Sequence, residues 1–423
     1  MKFIHTADWH LGNTFHGHDR SEEHHHFLKH LLDLISTRRP DALIVAGDIF
    51  DTPNPSARAE AMLYDFLLEA TSRVQGLQIV LIAGNHDSGS RLEAPAALLK
   101  SHNVYVRGTV RRKDNGEPDF TEHLLPLATL DSNEAVCVCH TLPFLRTTDC
   151  PPGTSPEEAL RLFFKGMAKA QAKSDFKGLP VIVAAHFYAS GTEICAVEHS
   201  ERIVIGGQEA VNVNVVGKQV SYAALGHIHK AQTVSGEMTV CYSGSPLPLS
   251  FSELHYRRGV NWVEIDADGE VQVEHIPYSP LRTLISIPES GDAASVDEVF
   301  SAIEKLPARR DGVCSDAAPY VELKIREEQP EPWLMHDLLA ALEEKDVRFC
   351  RVLRRLPNEK KTANDDVRGL VIEETTPLDL AQRIYSERYD ETMPTPLKDR
   401  FLQATERALQ EQGEEGSEDD ETP

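Results

Sequence analysis

The sequence predicts a layered α/β domain, followed by a smaller α/β domain and C-terminal helices. Three observations point there. Up to about residue 280, short apolar runs alternate with stretches of helical periodicity; five of those runs stop at Asp, Asn or His; and beyond that point the elements follow a compact β-α-β-α-β order. At 423 residues the chain has room for two or three domains, and 41% hydrophobic against 26% charged residues excludes a disordered or fibrous protein.

The first run, 3–7, stops at Asp8, and a helix is expected over 21–35, with Phe27, Leu28, Leu31, Leu32 and Ile35 on one face. Run 43–47 stops at Asp48, and a second helix is expected over 56–74. Run 80–84 then stops at Asn85, run 181–185 at His186, and run 223–226 at His227. Each buried run therefore delivers a metal-ligand type at its carboxyl end, the edge where open α/β sheets bind ligands. Glycine precedes Asp48, Asn85 and His227, permitting a sharp turn close to an ion or phosphate.

Asp8 and His10 are two residues apart, as are His227 and His229, so in extended backbone each pair points to one side. Asp48 can offer one carboxylate oxygen to each of two metals, with Asn85 and His186 completing the donors. Oxygen and imidazole donors without thiolate suit Mn, Fe or Zn. Two divalent cations facing two aspartates leave excess positive charge, which attracts phosphate and acidifies a bridging water. That chemistry is hydrolysis at phosphorus.

The set Asp8-x-His10, Gly47-Asp48-x-x-Asp51, Gly84-Asn85-His86-Asp87, His186 and Gly226-His227-x-His229 resembles, in this order, the motifs of the calcineurin-like metallophosphoesterases. Fuller matches at 5–12, 45–52, 143–146 and 244–251 are similar to the family's DNA nucleases, which act with an ATPase partner. The close match covers about residues 1–260. It implies a metallophosphoesterase β-sandwich flanked by helices over 1–280 and a capping domain over 281–356 that helps engage DNA. By the same resemblance, Asp8, His10, Asp48 and His229 hold one metal, and Asp48, Asn85, His186 and His227 the other, with Mn²⁺ the leading choice over Fe or Zn. His86 becomes the catalytic group that contacts the transition-state phosphate or protonates the leaving oxygen. Asp51 or Asp87 orients it, or the two acids cap turns. A homodimer is implied too. The helix over 56–74 has an apolar face that fits either a symmetry mate or an ordinary sheet-covering role.

A net charge of −24 argues against binding nucleic acid by bulk positive potential, although seven of the acids lie in 411–423, where no base occurs and a disordered tail is expected. The densest basic stretch contains Arg348, Arg351, Arg354 and Arg355, read as DNA phosphate contacts or as a solvated strand face. In the second domain, strands are expected over 283–287, 320–325 and 347–353, and helices over 295–306 and 332–344. A polar linker over 357–375 leads to helices in 376–410, where Thr376-Pro377 and Thr395-Pro396 read as an N-cap followed by Pro at the first helical position. Their apolar stripes pack either on the ATPase partner, as the resemblance implies, or on the chain's own domains. His24, His25, His26 and His30 are expected on a solvated helix face, and His16 and His18 in a loop near substrate.

The seven cysteines contain no C-x-x-C pair, so neither a disulfide framework nor a thiolate zinc site is expected. No apolar run approaches a membrane span and the opening residues lack the core of a signal peptide, so a soluble cytoplasmic protein is expected. The reading is thus a metal-dependent DNA nuclease, exonucleolytic at duplex ends and endonucleolytic on single strands or hairpins. A phosphoesterase for small molecules or phosphoproteins would share the ligands but need no cap, basic strand or partner helices. A non-catalytic DNA-end tether would be free to lose Asp48 or His86.

Overall fold

The computed structural model describes residues 1–193, 210–289, 293–327 and 331–355, apart from 235, 237 and 311, together with scattered positions between 385 and 400. Twelve strands form two six-stranded sheets. They are β1 (Lys2–Thr6), β2 (Ala42–Ala46), β3 (Gln78–Ile82), β4 (Val104–Arg107), β5 (Leu124–Ala128), β6 (Ala135–Leu142), β7 (Val181–His186), β8 (Val220–Gly226), β9 (Gln232–Val234), β10 (Thr239–Tyr242), β11 (Gly259–Ile265) and β12 (Val271–Pro277). One sheet runs β12-β11-β1-β2-β3-β4, the other β9-β10-β8-β7-β6-β5. Strands β1 to β4 are parallel, as are β6, β7, β8 and β10.

Side-chain alternation explains the layers. Phe3, Ala42, Ile44, Val80 and Ile82 meet Ile182, Ala184, Tyr222 and Ala224 between the sheets. Their neighbours Ile4, Leu43, Val45, Ile79 and Leu81 face helices α1 (Ser21–Arg38) and α2 (Ala57–Arg73). On the far side, Val181, Val183, Ala223 and Leu225 pack on α3 (Pro156–Gln171) through Phe163, Phe164 and Met167. Helix α1 runs three residues past its expected end because Arg39, at φ 47°, closes it by donating its N–H to Ile35 O. Helix α3 was legible but not anticipated: Ser155 and Glu158 form a capping box around Pro156, ahead of an apolar stripe. The apolar face of α2 lies in the core, as a sheet-covering helix requires.

Residues 1–325 and 331–354 form one compact unit. Its last part contains β13 (Leu284–Ile287), β14 (Ala294–Ser295), α4 (Val296–Glu304), β15 (Tyr320–Arg326), α5 (Leu334–Glu343) and β16 (Arg348–Arg355), close to the expected elements. Val299, Ile303, Val321, Leu323, Leu338 and Leu342 make its core. Residues 326–330 and 355–423 form a second unit. There, Pro394 O accepts N–H bonds from Leu397 and Lys398, so that helical turn starts one residue before the expected Thr395 cap. The linker over 357–375, the Thr376 helix start, most of 376–410 and the acidic tail lie outside the described residues. Among the described residues, no helix is long and apolar enough to cross a membrane.

Candidate metal centre

Strand β1 ends at Thr6, β2 at Ala46, β3 at Ile82, and the paired ends of β7 and β8 set His186 beside Gly226. The ligand types beyond these ends come from loops, not extended backbone. Asp8, His10, Asp48 and His227 have φ of 55°, 48°, 49° and 104°, left-handed values that cost energy in non-glycine residues and cluster at functional sites. The expected same-side geometry of two-apart pairs is therefore wrong in cause: main-chain bonds aim these side chains. Asp8 N–H donates to Gly47 O and His10 N–H to Asp48 O, both at 3.0 Å. His227 N–H donates to Asp8 Oδ1 at 3.0 Å, and His86 N–H to Asp48 Oδ1 at 2.8 Å. Three glycines are needed for space, Gly47 because a Cβ there would overlap the His186 ring. A Cβ on Gly84 would overlap the Asp48 carboxylate, and one on Gly226 would overlap Ala46 O.

Three sets of donor atoms each fall within 4.8 Å of one another: Asp8, His10 and His229; His10, Asp48 and His86; and Asp48, His186 and His227. Asp48 and His10 link the sets into one string. Asn85 joins it, with Oδ1 2.9 Å from His186 Nε2 and 3.0 Å from His227 Nδ1. His186 Nδ1 donates to Ala46 O at 2.9 Å, which leaves Nε2 facing Asp48 Oδ2 at 3.3 Å. His10 Nε2 is buried with no hydrogen-bond partner, 3.8 Å from Asp48 Oδ2. An orphaned imidazole nitrogen beside buried carboxylates fits divalent cations, which these oxygen and nitrogen donors suit.

Electrostatics separates the donors. Burial pushes the Asp8 carboxyl up, despite the neighbouring histidines. Burial would do the same to Asp48, but His186, His10 and His86 outweigh it and hold Asp48 well below the usual range. Burial works against the His186 cation, yet Asp48 and Asp8 raise it to about 9. His227, buried beside His186, is lowered to about 3.

The two acids offered as orienters of His86 both have other tasks. His86 Nδ1 donates to the main-chain carbonyl of Asp51 at 2.9 Å, because the Asp51 carboxylate is engaged by Asn13 Nδ2 at 2.9 Å and lies 3.2 Å from His10 Nδ1. Asp87 is fully buried and accepts the N–H groups of Gly84, Ile49 and Phe50, stapling two loops as a turn cap does. Arg146 adds a bond to Asp87 O at 2.7 Å, which gives the 143–146 motif a loop-holding task.

Two residues at the site were not anticipated. Glu253 receives His229 Nδ1 at 2.9 Å and is itself held by Arg258 at 2.8 Å. The signal was there, since Glu253 lies two residues past the 244–251 match.

The arginine quartet splits. Arg351 holds the buried Glu322 at 2.7 Å, and Arg348 donates to Ser315 O at 3.0 Å. Arg354 and Arg355 are exposed. Strand parity puts Arg348 and Arg354 on one face and Arg351 and Arg355 on the other, so the four do not make a single basic face. His24, expected in solvent, is buried with Nε2 3.1 Å from Trp9 O. His26 meets Tyr278 OH at 2.7 Å, and His18 meets Phe349 O at 2.9 Å.

Comparison with known proteins gives this string of donors a family. The calcineurin-like phosphoesterase model matches residues 1–231, and a model described as the type 5 capsule protein repressor C-terminal domain matches residues 280–389. The SbcD component of the SbcCD nuclease from Rhodobacter capsulatus is 37% identical, over 86% of this chain and 89% of its own. Its Bacillus subtilis namesake is 31% identical over 72% and 76%, and that of Escherichia coli K12 29% identical over 70% and 72%. With its N-terminal half inside that model and relatives matched along most of both chains, the protein belongs to the calcineurin-like phosphoesterase family, in its SbcD branch.

Proposed function

We propose that this chain is the nuclease subunit of a complex with an SbcC-type ATPase and hydrolyses DNA phosphodiester bonds, exonucleolytically at duplex ends and endonucleolytically on single strands or hairpins. The observation that carries the reading is the convergence of donors from four loops and one strand end of two sheets on one string that shares Asp48 and His10. In this reading Asp8, His10, Asp48 and His229 hold one divalent cation, and Asp48, Asn85, His186 and His227 the other, with Mn²⁺ first and Fe or Zn as alternatives. When bound, the pair supplies Lewis acidity and a hydroxide at neutral pH.

The chain's own residues do the rest. His86, fixed through Nδ1 on the Asp51 carbonyl, presents Nε2 to the phosphate or leaving oxygen. Asp48 spends Oδ1 on the His86 N–H and Asp8 shares the His227 N–H between its two oxygens at 3.0 and 3.3 Å, so both carboxylates are held in place. Arg354 and Arg355 contact the DNA backbone, and the segment 376–410 docks the ATPase. The nuclease domain spans 1–280 and the cap 281–356. Leu68 and Leu98, 58% and 78% exposed near Tyr64, supply an apolar patch for a homodimer. With a DNA substrate and an ATP-consuming partner, the protein works in the cytoplasm.

The test is cleavage of single-stranded, hairpin and duplex DNA in Mn²⁺, with and without the ATPase, beside an aryl phosphodiester. DNA cleavage that the ATPase enhances supports the reading. Turnover of the aryl ester alone would point to a small-molecule phosphoesterase, and DNA binding without any turnover to a tether.

A further inference from the structure

In a chain of net charge −24, one face of α3 carries Lys165, Lys169 and, just past its end, Lys173, one lysine per turn. All three are exposed, as is Lys113 across from them on a turn closed by Gly116 N–H to Lys113 O. None of the four makes an ion pair among the described residues. Together they rim a groove of about 590 Å³ whose floor is apolar: Phe120, Leu162 and Pro151 line it, and Asp119 is its acid. Asp119, whose carboxylate accepts Thr121 N–H at 3.1 Å, sets one negative charge among the lining residues against four lysines.

The floor is built. Phe120 stands edge-on to Phe163 with centroids 5.8 Å apart, and lies so close to α3 that a Cβ on Gly166 would overlap its ring. A mid-helix glycine costs stability relative to alanine, and here it makes room for an aromatic face under a row of cations. Leu162, beside it, is 48% exposed.

We propose that this groove binds single-stranded DNA outside the metal centre: the lysines follow the phosphates while bases rest on Phe120 and Leu162. Positive grooves with aromatic platforms are how proteins hold single strands without reading sequence. A duplex keeps its bases stacked inside, so an apolar floor offers it nothing. The groove is also near the chemistry. Pro151 is five residues from Arg146, whose guanidinium bonds to Asp87 O, and five residues of extended chain span at most about 18 Å. The Pro151 end of the groove therefore lies on the loop that Arg146 ties to Asp87 O, and the lysines continue from it along α3.

This inference rests on the nuclease reading, and the test separates the two. Binding of a fluorescent oligo(dT) and of a blunt duplex is measured on the full chain in chelator, and aryl phosphodiester and DNA turnover in Mn²⁺. Replacing Lys165, Lys169 and Lys173 with Gln should weaken oligo(dT) binding tenfold or more and reduce its log–log salt slope by about 2, at roughly 0.7 per lost phosphate contact. Phe120→Leu should weaken it several-fold at an unchanged slope. Duplex binding, aryl ester turnover and the thermal midpoint of the lysine variant should stay as in the parent. Unchanged oligo(dT) affinity, or an equal loss on duplex, overturns the assignment, as does loss of ATPase capture with oligo(dT) binding intact, which would make the groove a protein site. If the parent cleaves no DNA at all, it is the nuclease reading that fails.

Discussion

The Nδ1 of His229 lies 2.9 Å from a carboxylate oxygen of Glu253, and both side chains are buried. A carboxylate behind an imidazole fixes its tautomer, turning the other nitrogen toward Asp8 and His10, and makes it a better donor to a cation. Glu253→Gln should therefore lower Mn²⁺ affinity by roughly 10–100-fold, read by titration of bound metal, while turnover at saturating metal stays near that of the parent. Unchanged metal affinity would reduce Glu253 to a packing role. Glu253→Ala should also lower the unfolding midpoint, since Arg258 would be left buried without its carboxylate.

His86 and Asp48 divide chemistry from metal binding in the proposed site. His86→Ala should retain both metals and lose turnover by roughly 10²–10⁴-fold, whereas Asp48→Ala should lose metal as well. The proximity of His86 to His10 and Asp48 makes the experiment decisive. If metal content falls as far in His86→Ala as in Asp48→Ala, His86 is itself a ligand.

Glu23 on α1 is buried among Arg20 at 2.7 Å, Arg282 at 3.2 Å and Tyr320 OH at 2.6 Å, so it joins elements 297 residues apart. Burial would raise its carboxyl, but Arg20, Tyr320 and Arg282 together outweigh burial and hold it below the usual range. Glu23→Ala would strand two guanidinium groups and should destabilise the protein by about 3–5 kcal/mol in urea unfolding, against about 1–2 kcal/mol for Tyr320→Phe. Similar losses in the two variants would mean that the charges contribute no more than one hydrogen bond.

The ligand types were legible because each follows an apolar run, and a buried strand that ends in Asp, Asn or His has few bland explanations when five do so. Their geometry was not legible. Left-handed backbone at Asp8, His10, Asp48 and His227 depends on loops that bond to one another across the sheets, as His227 N–H does to Asp8 over 219 residues. Asp51 was offered as the partner of His86, but the atom that meets His86 Nδ1 is its main-chain carbonyl, a group every residue has and no sequence pattern marks. Arg351 read as a DNA contact because its partner Glu322 lies on a neighbouring strand 29 residues away. Composition cannot show which cations are already paired, which is also why the lysines of α3, without an ion pair among the described residues, drew no notice.

The last prediction concerns acid stability and uses a histidine far from the metal ligands in sequence. His140 on β6 is buried, with Nε2 donating to Gln171 Oε1 at 2.8 Å, and burial lowers it from 6.5 to about 4. A group whose folded value is depressed contributes its full stability above the unfolded value, where it is neutral in both states. As pH falls below about 6.5 the unfolded chain takes up a proton that the folded chain refuses, so stability drops until about pH 4 and then levels off. The loss over that window is on the order of 3 kcal/mol. His5 and His24, each lowered to about 3 by burial, add slopes of the same sign. Comparison with His140→Gln isolates the one residue, because the other histidines titrate in both proteins and cancel. Urea midpoints at pH 7 and pH 4.5 should fall further in the parent than in the variant. Parallel falls would mean that His140 is hydrated enough to accept its proton in the folded state.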